Sequence, residues 1–117
     1  MVQSYKELIV WQKSLQLVKQ VYFLTKSFPR DEIYGLTSQM RRAAVSIPAN
    51  IAEGQKRKNT KEFLQFLRIA NGSASELETE ILISKDLYPD DYANIDSLLE
   101  EVVKMLGGLI TKLESKV

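Results

Sequence analysis

Apolar residues recur at spacings of three and four along nearly the whole chain, and no stretch alternates with period two for long enough to make a strand. Leu8, Trp11, Leu15, Val18 and Tyr22 form one stripe, and Leu17, Val21, Leu24 and Phe28 form a second beside it. Together they predict a first helix from about Leu8 to Ser27 with a wide apolar face, preceded by a short arm, Met1 to about Glu7. Pro29 ends that helix, because its ring disfavours helical geometry at Phe28 and it has no N–H to continue the ladder. A connection over residues 29–35 (PRDEIYG) leads to a second helix, about Leu36 to Gln55, with Leu36, Met40, Ala43, Ile47 and Ile51 as its seam.

The second helix contains the most unusual string in the chain, QMRRAAVSIPANIAEG, residues 39–54. Pro48 lies inside it, where a proline costs about 3 kcal/mol relative to alanine, so a kink is expected there. Ala43, Ala44, Ser46, Ala49 and Ala52 surround the kink and would let another backbone come close. A polar connection, GQKRKN, follows, with Asn59 and Glu62 spaced as a capping box for the third helix. That helix should run to about Leu87 on a seam of Phe63, Phe66, Ala70, Leu77, Ile81 and Ser84. Gly72, Ser73 and Ala74 make a second small-residue waist. Asp90 or Asp91 would open a fourth helix, in which Ile95, Leu99, Val102, Leu106, Leu109 and Leu113 keep an unbroken bundle spacing. Gly107 and Gly108 fall inside that seam and imply either a bend or a close neighbour. Short connections force antiparallel neighbours, so the fold class is all-α, an up-down-up-down four-helix bundle forming one domain over residues 1–117.

Composition removes whole classes of chemistry. The chain has neither cysteine nor histidine, which excludes disulfides, thiolate sites, the commonest general base and the commonest metal ligand. No apolar run approaches the roughly 20 residues of a membrane helix, and Lys6 and Glu7 precede any signal-like core. A cytoplasmic protein without a membrane partner is expected. The net charge of +1 gives no overall pull on nucleic acid, but its distribution is uneven. Residues 41–68 hold seven basic and two acidic side chains, whereas residues 76–101 hold nine acidic and one basic. The asymmetry fits either a binding face or mutual attraction of neighbouring helices.

Two groups of polar residues could carry function. Arg42, Ser46, Asn50 and Glu53 descend one face of the second helix, and Ser73, Glu76 and Glu80 share a face of the third. Folding the two helices back on each other places Arg42 near Gly72, with Glu76 about one turn away, and Arg68 near Ser46. The result reads as an interhelical polar ladder that fixes register. The carboxylates could alternatively hold magnesium, but nothing in their spacing requires it, and di-iron or di-manganese bundles need histidines that are absent. No catalytic residue, metal or cofactor is assigned. The second group is the basic turn Lys56, Arg57, Lys58 and Lys61, with Arg68, Arg41 and Arg42 as weaker candidates for phosphate contacts. On these residues alone, a turn of this kind reads first as a solubilising feature, since charged loops are commonplace.

The string QMRRAAVSIPANIAEG, preceded by VWQKSLQL and followed by KEFLQFLRIANGSASELETE, resembles the four-helix bundle proteins encoded in intervening sequences of 23S ribosomal RNA. The likeness spans roughly residues 8–88, and SIPANIAEG, Ser46 to Gly54, is its most specific part; the fourth helix matches only in pattern. The resemblance implies a homo-oligomer, a pentamer in related members. A related branch, the accessory variability determinant of diversity-generating retroelements, binds a reverse transcriptase and nucleic acid through a basic ring surface. The near-neutral balance of this chain departs from that branch. The expected function is a non-enzymatic, oligomeric accessory protein for RNA or DNA. The alternative is a protein-interaction scaffold, for a reverse transcriptase for example, without direct nucleic-acid contact.

Overall fold

In the computed structural model, which describes residues 4–117, four helices follow one another: α1 (Ile9–Thr25), α2 (Leu36–Lys56), α3 (Thr60–Leu87) and α4 (Ala93–Glu114). Among the described residues consecutive helices pack on one another, α4 closes back onto α1, and the backbones of the diagonal pairs stay apart. This is the expected antiparallel up-down-up-down bundle, 45 × 23 × 20 Å in extent. Of the expected arm, Met1, Val2 and Gln3 lie outside the described residues. The remainder forms a single turn, Tyr5–Glu7, closed by a capping box: Lys6 N–H donates to Ser4 Oγ (3.1 Å), and Ser4 N–H donates to Glu7 Oε2 (3.0 Å).

The two stripes of α1 divide the work. Leu17, Val21, Leu24 and, just beyond the helix, Phe28 are buried, while Leu8, Trp11, Leu15 and Val18 are half-buried and Tyr22 is exposed. The narrower stripe therefore faces the core, and the other wraps its edge. In α2, Met40, Ala43, Ala44, Ile47 and Ile51 are buried. The helix continues through Pro48 without a break, since burial of Ile47 and Ile51 on either side holds the backbone helical despite the missing hydrogen bond. Leu64, Leu67, Ala70, Ala74, Leu77 and Ile81 supply the seam of α3. Phe63 and Phe66, expected in that seam, are only half-buried, and Leu64 takes the interior place.

Helix ends follow local chemistry. Asn59 Oδ1 accepts from Glu62 N–H (3.0 Å) and starts α3 as expected. α4 begins at Ala93, later than either aspartate, because Asp91 Oδ1 accepts from Ala93 N–H (3.0 Å) across a tight turn. Tyr92, between them, is buried and its hydroxyl donates to the Tyr88 carbonyl (2.7 Å). At the same end of the bundle Glu32 bridges two connections: Oε1 accepts from Leu36 N–H at the start of α2, and Oε2 accepts from the Tyr88 hydroxyl. Those donors hold the Glu32 carboxyl below its ordinary pKa, and the same contact pushes the Tyr88 phenol up.

Glycines separate into two kinds. A Cβ on Gly54 would stand 2.6 Å from Phe66 Cβ and 3.0 Å from Phe63 Cδ1, so α2 and α3 meet there only because the side chain is absent. Gly54 thus belongs to the helix contact, not to the connection the sequence suggested. Gly72, Gly107 and Gly108 would meet nothing within 4 Å among the described residues, so none of these explains the glycine pair of α4.

Candidate nucleic-acid interface

Antiparallel packing brings the C-terminal end of α2, the N-terminal end of α3 and the C-terminal end of α4 to one end of the bundle. Lys56, Arg57, Lys58 and Lys61 are all exposed there, on a turn fixed by the Gly54 contact on one side and the Asn59 cap on the other. Lys58 adopts φ 56°, a left-handed conformation that tightens the turn and that side-chain-bearing residues rarely take. Arg57 is partly engaged: it pairs with Glu53 (3.0 Å), and its guanidinium carbon lies 5.1 Å from the centre of the Phe66 ring. Lys56, Lys58 and Lys61 enter none of the ion pairs among the described residues.

The weaker candidates separate from this cluster. Arg68 pairs with Glu114 of α4 (2.7 Å) instead of approaching Ser46. Arg41 is half-buried, donates from Nε to Thr25 Oγ1 (2.9 Å) and lies over the Tyr22 ring at 4.5 Å, so it ties α2 to α1. Arg42 is exposed in a groove nearer the opposite end. Sequence reasoning missed Lys112 and Lys116, exposed near the end of α4 and brought towards the basic turn by topology. Their signal was available in the alternation of helix direction. The other end collects Asp31, Glu32, Asp86, Asp90 and Asp91, so the uneven charge along the sequence becomes a charge difference along the bundle axis.

Part of the expected polar ladder forms. Ser46 Oγ and Ser73 Oγ share a hydrogen bond (2.8 Å) across α2 and α3, and Asn50 Nδ2 donates to the Ser46 carbonyl (2.8 Å) and to Ser46 Oγ (2.9 Å). The register differs from expectation. Ser73, not Arg68, lies opposite Ser46, because α2 extends to Lys56 and the two helices close on Gly54. Beyond the serines an open groove of about 440 Å³ runs between the helices, lined by Gln39, Arg42, Ala43, Ser46, Ser73, Glu76 and Glu80. Glu80 is only 6% exposed. Its Oε1 is enclosed and has no hydrogen-bond partner. Burial first, and the charge of Glu76 second, push its carboxyl up to about pKa 7. Glu53, by contrast, faces Arg57 and takes no part in the groove. Among the described residues no three metal-binding side chains come together, and no helix is long and apolar enough to cross a membrane.

Residues 6–108 match the family described as 23S rRNA-intervening sequence protein. No curated protein matches the chain. Among solved structures, the chain is similar to a protein of unknown function from the S23 ribosomal protein family of Bacteroides thetaiotaomicron. The two share 25% identity with a TM-score of 0.78, over 87% of this chain and 98% of that one.

Proposed function

The chain belongs to the 23S rRNA-intervening sequence protein family, and from that membership we propose that it is a non-enzymatic accessory protein that assembles with copies of itself and holds nucleic acid on its basic end. The observation that carries this reading is the convergence of Lys56, Arg57, Lys58 and Lys61 on one exposed turn, with three of the four outside every ion pair among the described residues. Phosphate binding needs exposed ammonium and guanidinium groups, and releasing condensed counterions supplies most of the affinity. Cyclic symmetry would place every copy's turn on the same face, so four modest charges per subunit become a collar. That is how a chain of net charge +1 can bind a polyanion in the cytoplasm.

Assembly is supported by apolar side chains that the bundle leaves in water. Phe23 is 73% exposed, Leu82 58% and Ile69 51%. They lie on α1 and α3, outside the core, where large apolar groups mark contact surfaces. The same surfaces favour a second reading, a scaffold for another protein such as a reverse transcriptase. Equilibrium binding of single-stranded RNA to wild type and to the K56A/R57A/K58A variant tests the first reading. At least tenfold weaker binding by the variant, with an unchanged thermal midpoint, is expected; equal binding rejects the surface. Light scattering that gives only the monomer mass at micromolar concentration rejects assembly.

A further inference from the structure

The Glu80 groove is absorbed neither by the fold nor by the basic end. Three other buried polar side chains are satisfied by their own helices: Ser14 Oγ donates to the Trp11 carbonyl (2.7 Å), Thr25 Oγ1 to Val21 (2.8 Å) and Ser84 Oγ to Ile81 (2.9 Å). Among the described residues Glu80 stands apart, a carboxyl with an enclosed and unpartnered oxygen. A buried acceptor left without a donor is expensive, more so when it carries charge. The missing donor is not supplied locally. None of the ion pairs among the described residues includes Glu80, Glu76 or Arg42, although all three line one groove.

We propose that the groove between α2 and α3 is a binding site for a guanidinium or ammonium group, which docks on Glu80 with Glu76 as the second carboxylate. Glu76 balances Arg42, so the groove turns acidic as Glu80 ionises, a charge that a bound cation would favour. Among the described residues no third metal-binding side chain joins the two carboxylates, so nothing here builds a dedicated metal cage. An organic cation needs no such cage. The planar guanidinium presents paired N–H donors that match a carboxylate, and low local dielectric strengthens the bond. The Ser46–Ser73 hydrogen bond, backed by Asn50, holds the rim of the groove in place and offers hydroxyl oxygens to a remaining N–H. At about 440 Å³ the space accommodates such a group together with part of the chain that carries it. The groove lies away from the basic end, so this inference stands independently of the nucleic-acid reading.

The test uses agmatine, which carries a guanidinium at one end and an ammonium at the other, titrated into the full chain and followed by backbone amide NMR shifts. Saturable shifts clustered at Arg42, Ser46, Ser73, Glu76 and Glu80 are expected. Binding should weaken at least tenfold in Glu80→Gln and several-fold in Glu76→Gln, both checked for a cooperative melt at or above that of the native chain. Absence of saturable shifts, or equal affinity in Glu80→Gln, overturns the site. Binding that occurs only in Arg42→Ala also overturns it, since the groove would then be filled by its own arginine. The natural source of the cation is read by sedimentation. If agmatine lowers the assembled mass, the group belongs to a second copy of the chain; if it leaves the mass unchanged, the ligand is a small molecule.

Discussion

The two ends of the α2–α3 contact handle charge in opposite ways. At the basic turn, side chains project into water above a dry, glycine-tight contact of Gly54 with Phe63 and Phe66. Towards the other end the same two helices open into a groove, and a carboxyl is buried without a partner. Exposed cations cost the fold almost nothing, so their removal should be felt in binding and not in stability. A buried carboxyl costs stability whenever it ionises, so its removal should be felt in the fold first. The contrast separates features that support the structure from features that burden it.

The largest effect should come from Gly54. Gly54→Val places a branched side chain where even a Cβ lies 2.6 Å from Phe66. It should lower stability by about 3 kcal/mol and the thermal midpoint by roughly 10 °C. Calorimetry checks it, and a wild-type midpoint would mean that α2 and α3 are not closely apposed there.

Next comes Glu80. Its folded pKa of about 7 stands above the ordinary value of 4.5, so the folded chain keeps a proton that the unfolded chain has released between those values. Stability from this group therefore falls as pH rises from about 4.5 through about 7, and the penalty is complete above that window. Glu80→Gln should raise stability by roughly 1–2 kcal/mol at pH 8, gain little at pH 5, and leave RNA binding unchanged. Denaturant unfolding at both pH values reads the difference.

The smallest expected effect sharpens the comparison most. Lys58 holds φ 56°, and a glycine there relieves backbone strain. Lys58→Gly should stabilise the bundle by about 1 kcal/mol while weakening RNA binding. A residue whose loss improves the fold and harms binding has its reason outside the fold.

Most of the architecture was legible because helical periodicity reports directly on which face is buried. The seam of α4 is the clearest instance: Ile95, Leu99, Val102 and Leu106 are buried, and Leu109 and Leu113 pack on the core. Register was not legible, since it depends on where α2 and α3 touch. One glycine, Gly54, moved Ser73 opposite Ser46 and sent Arg68 to Glu114. The groove was half-legible. Glu80 was placed correctly beside Glu76 and Ser73 on one face, but its burial was overlooked. The signal lay in its position three residues after Leu77 and four before Ser84, both buried, which puts a charged residue on the core stripe. The basic turn was legible as a cluster of exposed charge, because its four residues fall within six positions of the chain. The lysines of α4 required the topology.

The most direct test of the account is the salt dependence of RNA affinity. Each phosphate neutralised on a single strand contributes about 0.7 to the slope of log K against log salt. Wild type should give a steep line, and K56A/R57A/K58A a line flatter by roughly 2, three lost contacts at that increment. Parallel lines for the two proteins would contradict the basic end as the place where nucleic acid is held.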